Sequence, residues 1–177
     1  ESFVSKNDSG SRYFLKGVYH DPEGYKVATD GHFLYAEKSD ISEENSDKVI
    51  DKTGTELPGK YPNWRRVIPE NAPKTEIFNN RKQLIQLCLV GNKISKLNGK
   101  APCFIKVGEF FFNTDYLNRV LSIAEKQGLN DVSITDNGQV VFKGEKGVAT
   151  TLPMINFNDI DKYFADAKIK AEKEKLD

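Results

Sequence analysis

The chain is short of the residues that most often carry recognisable chemistry. It has two cysteines and two histidines in 177 residues. Cys88 and Cys103 lack the paired spacing of a zinc site and read as reduced thiols of a cytoplasmic protein, buried or inert. His20 and His32 have no third ligand at a recognisable spacing, so no metal is expected. No glycine-rich phosphate loop precedes a helix and no serine sits in a nucleophile elbow, so no cofactor is expected either. An excess of charge is missing too, because 26 basic and 26 acidic residues cancel. That balance argues against unspecific nucleic-acid binding by the whole surface and leaves a local basic path open. No apolar run approaches the roughly 20 residues of a membrane span. No signal peptide is visible, which carries little weight because Glu1 is not a natural start.

Hydrophobic residues make up 38% and charged residues 29%, the balance of a soluble globular protein with a core. The length suits one substantial domain or two small ones. Residues 12–20 read as an aromatic and β-branched strand, with Tyr13, Leu15 and Tyr19 on one face. Asp21-Pro22-Glu23-Gly24 is a turn. A strand over 25–29 then meets Asp30-Gly31, the strongest two-residue hairpin signal in the chain, and a strand over 32–37 follows. Residues 38–59 are polar, with a turn at 51–54 and a hint of a strand at Ile50. Prolines at 62, 69 and 73 make 60–73 an extended connector.

Asn80 is placed to cap a helix over 81–90, with Leu84, Ile85, Leu87 and Cys88 as its apolar face, Gly91 as its stop and a polar loop over 91–101. Extended chain over 104–107 and 110–112 breaks at Gly108. Thr114 opens the clearest helix, with Leu117, Val120, Leu121 and Ala124 at helical spacing and Gly128 at its end. Three short strands follow over 131–135, 139–143 and 148–154. The second half therefore reads strand, helix, strand, strand, strand. The first half repeats the three-strand tail after Glu1–Lys6, a segment that suits the end of a helix. Residues 158–177 read as a charged helix with Ile160, Tyr163, Phe164 and Ala167 on one side.

Three segments resemble the bacterial DNA polymerase sliding clamp, the β-clamp processivity factor, and occur in that family's order. The first is Arg12-Tyr13-Phe14-Leu15-Lys16-Gly17-Val18 with Val27-Ala28-Thr29-Asp30-Gly31-His32-Phe33-Leu34. The second is Tyr61-Pro62-Asn63-Trp64-Arg65-Arg66-Val67-Ile68-Pro69. The third is Phe112-Asn113 with its helix, closing at Thr151-Leu152-Pro153-Met154. The resemblance implies an α+β, DNA-clamp-like fold of βαβββ half-domain repeats, with helices inside and antiparallel sheets outside. It implies a pocket for the short linear motif of polymerases and repair proteins, lined by Leu15, Thr29, Gly31, His32, Leu34, Pro62, Arg66, Val67, Leu152, Pro153 and Met154. An extended peptide with one or two apolar anchors needs such a concave patch with a few polar groups to orient it. Arg12, Tyr13 and Phe14 match a family segment that approaches double-stranded DNA. Arginine could pair a phosphate and the aromatics could stack on bases, or Tyr13 could simply be core.

The departures shape the functional reading. Phe33 stands where the family has arginine, and Asn63 and Trp64 replace aspartate and tyrosine. Family sequence is missing between 40 and 60 and again between 90 and 105. The helix at 158–177 lies beyond the family's usual end. One compact domain is expected over 1–157, with a first half 1–59, a connector 60–73 and a second half 74–157, because two separate halves would each lack enough core. Ring closure would then require a homo-oligomer. The leading expectation is a non-enzymatic binding module of a bacterium, phage or mobile element that docks DNA polymerase or other clamp-binding proteins. A decoy that sequesters those proteins is the alternative. An enzyme using Asp30 and His32 is the least favoured reading, since Asp-Gly is explained by turn chemistry. Arg65 and Arg66 are candidate phosphate ligands, with pinning of the connector as the alternative. Tyr163-Phe164 could also fill the pocket from within the chain.

Overall fold

The computed structural model describes residues 13–99 and 101–153, with side chains from Leu15 onward. Arg12, Met154, the segment Glu1–Lys6, the helix expected over 158–177 and the Tyr163-Phe164 pair lie outside the described residues, as do the side chains of Tyr13 and Phe14.

An eight-stranded antiparallel sheet organises the chain. Its strands are β1 (Val18–Asp21), β2 (Tyr25–Thr29), β3 (Phe33–Lys38), β4 (Lys48–Ile50), β5 (Glu56–Leu57), β8 (Asp131–Ile134), β9 (Val140–Gly144) and β10 (Gly147–Thr151). The order across the sheet is β5-β4-β1-β2-β3-β10-β9-β8. The two sequence halves join at β3 and β10, where Phe33 faces Thr151 and Glu37 faces Gly147. A separate hairpin pairs β6 (Phe104–Val107) with β7 (Phe110–Asn113).

Alternation along the central strands sends side chains to two different cores, as the period of two requires. Phe33, Tyr35, Val140, Phe142 and Ala149 face α1 (Arg81–Leu97) and α2 (Thr114–Gln127). Leu34, Ala36, Val141 and Val148 face the other way, where Leu15, Tyr61 and Trp64 cover them. The connector is therefore the lid of a second core. β7, α2, β8, β9 and β10 form the βαβββ unit read from the sequence. Leu117, Val120, Leu121 and Ala124 are all buried on α2, Asn113 caps it by accepting from Asp115 N at 2.8 Å, and Gly128 ends it.

Four local expectations need correction. Residues 13–16 form a 3-10 turn, and the strand begins only at Val18. Gly17 explains the delay: a Cβ there would lie 2.9 Å from the Ile50 carbonyl oxygen, so the chain bends against β4 before it pairs. Gly91 does not stop α1, which runs on through the predicted polar loop to Leu97. It is instead a point of close approach to α2, where a Cβ would sit 2.7 Å from Thr114 Cγ2 and 3.2 Å from Cys103 Sγ. Asn80 makes no side-chain cap. The connector is not extended throughout, because Trp64–Val67 form a 3-10 turn.

Candidate functional site

The connector is held on the sheet by one buried carboxylate. Asp21 ends β1 and is 3% exposed. Its Oδ2 accepts from Trp64 Nε1 at 2.7 Å and from Arg65 Nη1 at 2.6 Å, while Oδ1 accepts from Arg65 Nη2 at 3.1 Å and from Glu23 N at 2.8 Å. Arg65 also pairs with Glu23 at 2.9 Å and lies over the Trp64 ring at 4.4 Å. Burial by itself would raise the pKa of Asp21, but the donors on Arg65, Trp64 and Glu23 outweigh it and hold the carboxyl below the usual carboxylate range. Asn63 accepts from Arg65 N at 3.2 Å and so shapes the turn that presents the indole. Of the two candidate phosphate ligands, Arg65 is thus engaged in pinning the connector, whereas Arg66 is exposed.

The β2–β3 connection forms the neighbouring wall. It is a hairpin, yet not the two-residue primed turn expected, because Thr29 pairs with Leu34 across four intervening residues and only Gly31 takes positive φ, at 95°. Asp30 Oδ1 accepts from His32 N at 2.9 Å, and Thr29 Oγ1 accepts from Gly31 N at 3.0 Å while donating to Phe33 O at 2.6 Å. The side-chain oxygens thus take the place of a tight ladder. His32 stacks on Tyr116 with ring centroids 4.6 Å apart. Asp30 is used in folding its own loop, and no group of three or more potential metal ligands occurs among the described residues.

Between these walls lies a cavity of about 370 Å³. Leu15, Leu34, Tyr61 and Trp64 are its buried apolar surfaces, with Val67 and Leu152 about half exposed at the rim. Gln139 braces it, donating to Val67 O at 2.6 Å and to Thr150 Oγ1 at 3.0 Å and thereby tying the connector to β10. Thr151 Oγ1 donates to His32 O at 3.2 Å, fixing the end of β10 to the loop.

Leu15, Thr29, Gly31, His32, Leu34, Pro62, Val67 and Leu152, all expected from the sequence, line this one cavity. Arg66 and Pro153 are not among its lining residues. Sequence reading missed Phe33, Tyr61, Asn63, Trp64, Gln139, Thr150 and Thr151 as wall residues. The signal for three of them was in view, since Tyr61, Asn63 and Trp64 sit in the same short segment as Pro62 and Val67. Nothing local marks Gln139, which enters only through the pairing of β9 with β10.

No family model matches the chain, and no curated protein matches it by sequence. Solved structures do. The DNA polymerase III β sliding clamp of Bartonella birtlesii, solved bound to griselimycin, superimposes with a TM-score of 0.61 at 16% identity, covering 86% of this chain. A putative DNA polymerase III β subunit from Eubacterium rectale gives 0.62 at 11% identity over 88% of this chain. The fold is that of a bacterial sliding clamp. A third example, the DNA polymerase III β chain of Streptococcus pneumoniae, gives 0.57 at 18% identity. The chain spans 61% of the length of the first two clamps and 60% of the third. No helix among the described residues is long and apolar enough to cross a membrane.

Proposed function

We propose that the chain is a reduced, non-enzymatic clamp protein that docks a short linear motif of DNA polymerases or repair proteins in the cavity beside Trp64, and so supports or modulates DNA replication. The observation that carries this reading is the cavity itself. It is concave, mostly apolar, and lined by the Leu15, Pro62, Val67 and Leu152 segments that the clamp resemblance singles out. Its volume suits one or two apolar side chains of an extended peptide, each contributing about 1.5–3 kcal/mol when fully buried. Thr29, Gln139 and Thr150 supply the few polar groups at its wall. Pro153 and Met154 belong to the same proposed site at its β10 end. Contact of Arg12, Tyr13 and Phe14 with duplex DNA belongs to this reading too, and salt-dependent retention on DNA lost in Arg12→Ala is its check.

The test is fluorescence anisotropy of a labelled clamp-binding peptide titrated with the protein. Saturable binding is expected, and it should be lost in a Pro153→Ala/Met154→Ala variant that keeps its fold. Absence of binding by the folded parent would reduce the clamp likeness to one of fold alone.

A decoy role is the second reading, favoured by the sheet edges. Joining copies edge to edge needs a free edge strand. The β8 edge is covered by residues 73–75, with Thr75 N donating to Val132 O and Ile134 N to Pro73 O, both at 3.0 Å, and Lys74 bridging to Asp131. The opposite edge strand, β5, has two residues. Inhibition of processive synthesis on adding the protein supports the decoy, and stimulation supports a working clamp.

A further inference from the structure

The connector gives the cavity two buried aromatic walls, Tyr61 and Trp64. Asp21 of β1 places Trp64 by accepting its indole N–H. By the strand period of two, Tyr19 leaves β1 on the same face as Asp21, about 7 Å away. The Tyr19 ring stacks on the Tyr61 ring, with centroids 4.8 Å apart and planes within 7° of parallel. A stack sets the spacing of two rings but only weakly their offset, so one of the two has to be tied down by other contacts.

Tyr19 is the ring that is tied. Its backbone pairs with Val27 on β2 and with Val49 on β4. Its hydroxyl donates to Asp47 Oδ1 at 2.7 Å. Asp47 stands in the turn just before β4, and its own N–H donates to His20 O at 2.9 Å. It is also the one non-glycine residue with positive φ among the described residues, at 59°. That conformation is disfavoured for residues with a side chain, and aspartate and asparagine tolerate it best. A glycine would sit in the turn with less strain but would offer Tyr19 no acceptor. Strain held at one residue beside a binding cavity invites a reason, and the bond to Tyr19 supplies one.

We infer that Tyr19, held by Asp47, is a positioning residue of the docking cavity. It sets the offset of the Tyr61 ring and so the wall that Tyr61 and Pro62 present, as Asp21 sets Trp64. Tyr19 is not itself among the lining residues and acts through Tyr61. β1 is then a two-point bracket for the connector. The inference rests on the docking function proposed above.

The test pairs anisotropy of the labelled clamp-binding peptide with urea unfolding. Asp47→Gly removes acceptor and strain together, and Tyr19→Phe removes only the hydroxyl. Each should weaken peptide binding by about three- to tenfold and leave the urea midpoint near that of the parent, because the bond is exposed. The double variant should bind no worse than either single one, since both remove the same contact. Asp47→Asn keeps an acceptor and tolerates positive φ, so it should bind as the parent does. A readout free of peptide is fluorine NMR of fluorotyrosine-labelled protein, with the Tyr61 resonance assigned by its loss in Tyr61→Phe. That resonance should shift or broaden in Asp47→Gly and stay in place in Asp47→Asn. Unchanged affinity and an unchanged Tyr61 resonance in Asp47→Gly would overturn the inference. So would a loss of affinity matched by a fall in urea midpoint, or an equal loss in Asp47→Asn. Absence of peptide binding by the parent, with the fluorine shift present, would overturn the docking function and leave Tyr19 as a support of the connector alone.

Discussion

Replacing Asp21 isolates what the buried carboxylate does for the cavity wall. In Asp21→Ala the Trp64 indole N–H and the Arg65 guanidinium lose their shared acceptor. Hydrogen bonds to a charged group contribute about 1.5–3 kcal/mol each, and stripping one partner from a buried pair costs about 3–5 kcal/mol. The side chain of Arg65 is 38% exposed and retains Glu23 at 2.9 Å, so solvent screening and the second carboxylate recover part of the loss, leaving about 2–3 kcal/mol. For a chain of this size that is a fall of roughly 5–10 °C in Tm. Asp21→Asn keeps the shape and one acceptor and should lose about 1–2 kcal/mol. The assay is urea unfolding followed by emission of Trp64, the one tryptophan of the chain. A pH series adds a signature that lost packing cannot mimic. The folded carboxyl titrates below its unfolded value of about 3.9, so its contribution is full above that pH and disappears as pH falls through the folded value. The parent should therefore lose stability below about pH 4 more steeply than Asp21→Asn. Equal acid slopes in the two proteins, or a loss below about 0.5 kcal/mol in Asp21→Ala, would refute the assignment.

Other perturbations probe the remaining contacts. Gly91→Ala gains about 1 kcal/mol of helix propensity but forces a Cβ against buried Thr114, so a net loss of about 1–2 kcal/mol in chemical denaturation is expected. Cys88 is fully buried and its thiol is pushed up to about 12 by that burial, with the neighbouring Cys103 adding to the shift. It should resist a thiol reagent at pH 8 until urea unfolds the chain, while the partly exposed Cys103 labels first. Val67→Ala and Leu152→Ala remove rim contacts that are about half exposed, so each should weaken peptide binding by roughly five- to tenfold with little change in urea midpoint. Gln139→Ala unties the connector from Thr150 and should raise amide exchange of residues 64–68 severalfold, by about 0.5–1.5 kcal/mol of lost hydrogen bonding.

The parts of the fold that were legible in the sequence are those set by a single repeating pattern. α2 was readable because its four core residues recur at helical spacing between Thr114 and a glycine stop. β2 was readable because a turn and a hairpin signal bracket it. Where the pattern failed, a tertiary contact had overridden a local rule. Gly91 has the composition of a helix stop, yet its missing side chain serves the packing of α1 on α2. Asp30-Gly31 has the composition of a primed turn, yet Thr29 and Asp30 satisfy the loop through their side chains and leave it wider. The extended reading of residues 12–16 ignored the crowding of Gly17 by β4.

The candidate site was legible only as far as its residues are consecutive. Residues 29–34, 61–67 and 150–152 each form a short word, and the resemblance to clamps found one or more residues in all three. What it could not give is the force that brings the words together. That force is the seam between β3 and β10, which sets Leu34 opposite Thr150 and Phe33 opposite Thr151, with Gln139 and the Asp21–Arg65 pair anchoring the connector from its two sides. A strand slip of one residue at that seam would exchange the two faces, sending Leu34 toward α2 and Phe33 toward Trp64. The cavity is thus a property of sheet register more than of any residue that lines it.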